Sequence, residues 1–114
     1  MAITEAYANT QAIDTNEWSL TGDDNSLAAI TTAGVYQVFL DLNDMVSGDE
    51  LQIRIYEKVQ SSDTQRIVYQ ANLIGPQSPP IWVSPSLVLM NGWDVSLDAI
   101  AGTITVTWSI RKVA

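Results

Sequence analysis

Ile104-Thr105-Val106-Thr107-Trp108-Ser109-Ile110 is the stretch whose reading decides the fold. Ile104, Val106, Trp108 and Ile110 share one face of an extended chain, and Thr103, Thr105, Thr107 and Ser109 share the other. Side chains of a strand point alternately to opposite sides of its sheet, so this alternation specifies a strand with one buried face. β-Branched and aromatic residues fill it, the types that pack best on a pleated surface. Working outward, Trp93, Val95 and Leu97 alternate with Asp94, Ser96 and Asp98, after the hairpin-turn pair Asn91-Gly92. Further back, Leu51, Ile53, Ile55 and Val59 are expected to point inward and Gln52, Arg54, Tyr56 and Lys58 outward. Between Val35 and Leu42, Tyr36, Val38, Leu40 and Leu42 form an apolar row. The opposite row of Val35, Gln37, Phe39 and Asp41 is mixed and suits a face that is only partly covered.

Shorter extended segments are expected at Glu17 to Thr21, Leu27 to Thr32, Arg66 to Leu73, Ile81-Trp82-Val83 and Leu87 to Met90. Turn-forming residues separate most of them, as in Gly22-Asp23-Asp24-Asn25-Ser26. Gly75-Pro76-Gln77-Ser78-Pro79-Pro80 cannot pair in a sheet, because three of its six residues lack a backbone N–H. Helical periodicity is nowhere sustained. Seven or eight closely spaced strands with turn chemistry between them predict an all-β antiparallel β-sandwich, jelly-roll-like in type. Residues 1–17 are mostly polar, with Ile3, Ala6, Tyr7, Ala12 and Ile13 as their apolar handles, and are expected to form an irregular N-terminal arm. Residues 18–114 are expected to form one β-sandwich domain, consistent with a length of 114 residues.

Composition excludes several classes of chemistry. Histidine and cysteine are absent, which removes Ser-His-Asp and Cys-His catalysis, thiolate zinc sites, iron–sulfur ligation and disulfides. Five basic residues stand against thirteen acidic ones, a net charge of −8. Arg54, Lys58, Arg66, Arg111 and Lys112 include no cluster longer than two, so neither direct nucleic-acid binding nor attraction to an anionic membrane is expected. No apolar run approaches the ~20 residues of a membrane-spanning helix. Met1 to Glu5 lacks the basic start and apolar stretch of a secretory signal, which points to synthesis in a cytoplasm.

Acidic residues gather at Asp41, Asp44, Asp49 and Glu50 and again at Asp94 and Asp98. They lie next to turn residues rather than in an apolar cleft that could raise a carboxyl pKa, so no enzymatic activity and no catalytic residues are expected. Calcium would suit the oxygen-rich Asp23-Asp24-Asn25 and Asp41-Leu42-Asn43-Asp44, but neither has the spacing of a calcium loop. No metal and no cofactor is expected, and the scattered glycines form no phosphate-cradling loop.

Four tryptophans are many for so short a chain. Trp93 and Trp108 lie on apolar faces and belong to the core. Trp18 and Trp82 sit in less regular segments and are candidates for anchors at a subunit interface, with Tyr7, Pro79 and Pro80. An alternative is that Trp18 or Trp82 stacks on a sugar, as in a carbohydrate-binding β-sandwich module.

Gly34-Val35-Tyr36-Gln37-Val38-Phe39-Leu40-Asp41-Leu42, continuing through Gly48-Asp49 to Ile53-Arg54-Ile55-Tyr56-Glu57-Lys58, resembles a group of small structural proteins of tailed bacteriophages. The ending Gly92-Trp93-Asp94-Val95 … Trp108-Ser109-Ile110-Arg111-Lys112 carries the same resemblance, which spans most of residues 34–112. Within that group the chain is most similar to the head decoration, or capsid cement, proteins. The resemblance implies a virion protein on the outer capsid surface, assembled in the host cytoplasm. It implies that the major capsid protein is the partner, and that the chain is a homo-oligomer, a trimer. A neck, tail or head-completion protein is the alternative within the same group.

Overall fold

The computed structural model describes residues 2–114, and Met1 lies outside the described residues. Its strands are β1 (Thr4–Ile13), β2 (Trp18–Ser19), β3 (Gly34–Asp41), β4 (Glu50–Glu57), β5 (Arg66–Ile74), β6 (Ile81–Val83), β7 (Leu87–Leu89), β8 (Asp94–Ala101) and β9 (Ile104–Lys112). They form two antiparallel sheets. One runs β1-β9-β3-β6, with β7 also paired to β3, and the other runs β2-β8-β4-β5. With β7 set aside, successive strands alternate between the sheets except at the β4–β5 hairpin, which gives the two interleaved four-strand orders of a jelly roll. The protein is an all-β sandwich of that type.

The alternating rows found in the sequence become the core. Ile104, Val106, Trp108 and Ile110 of β9 face Leu51, Ile53 and Ile55 of β4 and Val95, Leu97 and Ala99 of β8, all essentially inaccessible to water. Tyr36, Val38 and Leu40 of β3 complete the first sheet's inner face. Trp93 and Trp108 are the largest buried side chains; Trp93 tilts against Tyr36 at 4.4 Å between ring centroids and donates from Nε1 to the Thr32 carbonyl at 3.2 Å. Such a partner offsets the cost of burying an indole N–H, a cost that the buried Trp108 Nε1 bears without one.

The stretch expected as an irregular arm is different in the structure. Thr4–Ile13 is a full strand that pairs with β9 from Thr4↔Lys112 to Ile13↔Ile104, with a bulge between Glu5 and Tyr7. Its polar composition follows from its place: an edge strand with its outward face in water needs few apolar residues to be held. Tyr7 and Ile13 supply them, Tyr7 meeting Trp93 edge-on at 6.0 Å and Ile13 lying fully buried. β4 also ends earlier than expected. It stops at Glu57, so Val59 is 80% exposed instead of inward. Tyr56 faces outward with Arg54 as expected, yet it is buried there, because the segment carrying Glu17 lies over it and the Glu17 carboxylate accepts from its phenol hydroxyl. Leu27 to Thr32 forms no strand beyond the single bridge Ile30↔Trp93.

Candidate functional site

The five residues singled out as interface anchors are not gathered into one patch. Tyr7, Trp18 and Trp82 are half-buried and packed against the core. Tyr7 stands on β1 and Trp82 on β6, the opposite edges of one sheet, whereas Trp18 on β2 pairs with Leu97 in the other sheet. Pro79 is exposed after a cis Ser78–Pro79 bond, and the Pro80 carbonyl accepts from the Leu42 N–H at 2.8 Å. The Trp18 indole donates to Asp23 at 3.3 Å, which ties it to its own loop.

The acidic turns are occupied by the chain itself. Asp23 accepts from Asn9 and Trp18, Asp24 from the Ser26 N–H, and Asp41 from the Asn43 N–H. Among the described residues, no three acidic side chains converge as a metal cage would require. Asp94 is wholly buried and accepts four hydrogen bonds, from the Ser19 and Thr21 hydroxyls and from the Ala28 and Val95 N–H groups, at 2.7–2.8 Å. It fastens the 19–28 segment over the second sheet, a buried carboxylate made tolerable by full satisfaction.

Beside it lies a charged cluster that the sequence did not single out. Arg54 on β4 reaches Glu17 at 3.3 Å and Asp98 on β8 at 3.7 Å. Glu17 also accepts from the Tyr56 hydroxyl at 2.6 Å and from Ser96. Burial alone would push the Glu17 carboxyl up, but the hydrogen bonds from Ser96, Tyr56 and Arg54, together with the Arg54 charge, hold it below its ordinary value. Burial holds Asp98 above its ordinary value; the Arg54 charge opposes that shift and Glu17 adds to it. One arginine thus serves two carboxylates, and Asp98 Oδ1 has no hydrogen-bond donor. The cluster locks the segment before β2 to β4 and β8.

Two features of the surface remain open. The first is the free edge of β5, a strand of nine residues that among the described residues is paired on one side only, with β4. Ile67, Val68 and Ile74 are 46%, 50% and 71% exposed there. The second is a groove of about 580 Å³ on the outward face of the first sheet. Register places Ala8, Ser109, Phe39 and Val83 in one row across β1, β9, β3 and β6, and Thr10, Thr107, Asp41 and Ile81 in the next. Small side chains on β1 and β9 form the floor. Arg111 stacks over the Phe39 ring at 3.8 Å at one end.

No protein-family model matches the chain, and no curated protein matches it in sequence. Solved structures match its fold. The pilus subunit of Bacillus endospore appendages is 13% identical with a TM-score of 0.51, over 98% of this chain and 88% of that one. The Yersinia pseudotuberculosis-derived mitogen is 9% identical with a TM-score of 0.54, over 99% and 86%. The PRD1 vertex protein P5 is 11% identical with a TM-score of 0.53, and the match covers 100% of both chains. At these identities the likeness is one of fold: the chain shares its β-sandwich with a viral vertex protein and a pilus subunit, and with a protein of another kind.

Proposed function

We propose that this chain is a structural component of a virus particle, a decoration or cement protein on the outer surface of a tailed-phage head that bridges major capsid subunits as a trimer. The observation that carries the reading is the unguarded edge of β5. A sheet edge presents a row of unpaired N–H and C=O groups, and proteins that work alone blunt such edges with short strands, charges or proline. Of the other edges, β1 is long but its exposed side chains are polar or small, and the rest follow that rule. β2 has two residues, and β6 and β7 have three each, flanked by Pro79, Pro80 and Pro85. β5 has nine residues, a single charge at Arg66, no proline, and three exposed aliphatic side chains. Such an edge suits a chain whose neighbours cover it.

Two further points support the reading. The jelly roll recurs among viral capsid proteins, and the likeness to the PRD1 vertex protein extends over both whole chains. Fold analogy is the weaker support, since one fold hosts many functions. The −8 charge would keep decorated particles soluble and apart.

The test is to count this chain against the major capsid protein in purified virions by quantitative mass spectrometry. A count comparable to the shell protein is expected. A count of only a few copies moves the chain to the neck or tail, and absence from particles overturns the structural reading. Val68→Lys, which places a charge on the free edge, is expected to reduce head binding by tenfold or more while leaving the melting curve unchanged.

A further inference from the structure

The groove on the outward face of the first sheet has a chemistry of its own. It lies in the middle of the sheet, where the backbone groups of β9 and β3 are already taken by their ladders. A ligand there meets side chains only, so an extended peptide would find no backbone partners. The side chains offer both kinds of hydrogen-bonding group. Glu5 and Asp41 bring carboxylate acceptors, Arg111 brings donors, and the hydroxyls of Thr10, Thr107 and Ser109 can do either. Phe39 and Ile81 add apolar surface beside them.

The polar groups are held in place before any ligand arrives. The Ser109 hydroxyl donates to Glu5 at 2.5 Å and accepts from Arg111 Nε at 3.2 Å. A cation–π contact holds the same guanidinium over the Phe39 ring. Its two terminal nitrogens have no partner among the described residues and remain free to donate to a ligand in the groove. Thr10 and Thr107 hydroxyls meet at 2.8 Å along the floor.

Charge narrows the ligand class. Two carboxylates in a chain of net charge −8 disfavour phosphates, nucleic acid and acidic peptides. Arg111 disfavours a cation. What remains is a neutral molecule with many hydroxyls, each able to donate and accept, and with apolar C–H patches between them. The volume suits one or two sugar rings. We propose that this groove binds an uncharged saccharide, with Arg111, Glu5 and Asp41 bonding its hydroxyls against Phe39 and Ile81. The site is independent of whatever particle or partner carries the chain, and it differs from the Trp18 or Trp82 stacking considered from the sequence.

The experiment is an NMR titration of the full isotope-labelled chain with cellobiose, maltose and N,N′-diacetylchitobiose, with glucuronate as the charged control. At least one neutral disaccharide is expected to shift the amides of Phe39–Asp41 and Thr107–Arg111, with a Kd on the order of 1 mM, as befits an open groove. Arg111→Gln is expected to weaken that binding by about tenfold, the loss of one good charged hydrogen-bond pair. If that variant misfolds, the exposed Asp41→Ala serves in its place. The proposal is overturned if none of these sugars shifts groove amides at roughly tenfold that concentration. It is equally overturned if glucuronate binds as well as they do, if the shifts map to Trp18 or Trp82, or if a folded groove variant binds undiminished.

Discussion

Glu17, Arg54 and Asp98 show how one residue's surroundings set another's charge. Glu17 titrates below its ordinary value in the folded protein, so its contribution to stability is present above the unfolded value and is lost as pH falls through the folded one. Asp98 titrates above its ordinary value, so its contribution has the opposite sign: it favours folding at acid pH and fades as pH rises through the folded value. Glu17→Gln mimics the protonated acid. At neutral pH it is expected to cost ~1 kcal/mol, a charged hydrogen-bond set discounted because the group is partly exposed. In urea melts the difference from the parent chain should shrink to nothing once pH is below the folded Glu17 value. With Glu17 neutral, Asp98 also loses a like charge, so its NMR titration should move down. An unchanged Asp98 titration would mean that the two carboxylates do not sense each other. Little of this was legible in the sequence. Arg54 was rightly placed on the outward face of β4, but Glu17 and Asp98 lie far from it in the chain and meet it only in the folded sheet, which no local pattern records.

The strands divide into those the sequence declares and those it conceals, and burial decides which. β3, β4, β8 and β9 each have one face in the core, so their apolar residues fall on alternate positions and their existence is plain. β1 has most of both faces in water, so Thr4–Ile13 alternates hardly at all and reads as an arm. Its hold on the sheet is nonetheless continuous along β9. Deleting residues 2–13 strips Tyr7 from Trp93 and Ile13 from the core, and leaves β9 as a raw edge. Burying one large apolar side chain is worth about 1.5–3 kcal/mol, so the truncated chain should lose at least about 3 kcal/mol in chemical denaturation. Wild-type stability after truncation would restore the arm. The β8–β9 turn makes a second test at this scale. Gly102 has φ +83°, and a Cβ there would sit 2.1 Å from Asp49 Oδ1. Gly102→Ala combines a strained backbone with that clash and should destabilise by about 1–3 kcal/mol, read as a lower urea midpoint with unchanged slope.

At the scale of the whole molecule, the sandwich was legible and its surfaces were not. The groove needs Glu5, Phe39 and Arg111, which become neighbours only because β9 lies between β1 and β3 in the sheet order. The open edge of β5 likewise follows from topology: Arg66–Ile74 reads as an ordinary hairpin strand until its far side is seen to pair with none of the described residues. On the proposed capsid role, this arrangement also predicts how salt acts on attachment to heads. Contact through an apolar edge draws nothing from attraction between opposite charges, so added salt should leave it in place. Docking that relied on acidic loops against a basic surface would instead weaken with salt. The screening length shrinks from about 10 Å at 0.1 M ionic strength to about 3 Å at 1 M. Co-sedimentation of the chain with heads lacking it, across that range, separates the two. Binding that holds or tightens, and falls with Val68→Lys at every salt concentration, is the expected outcome for the β5 edge. Binding that disappears by the upper end of the range, and is indifferent to Val68→Lys, would assign attachment to the acidic turns and leave the β5 edge without a role in assembly.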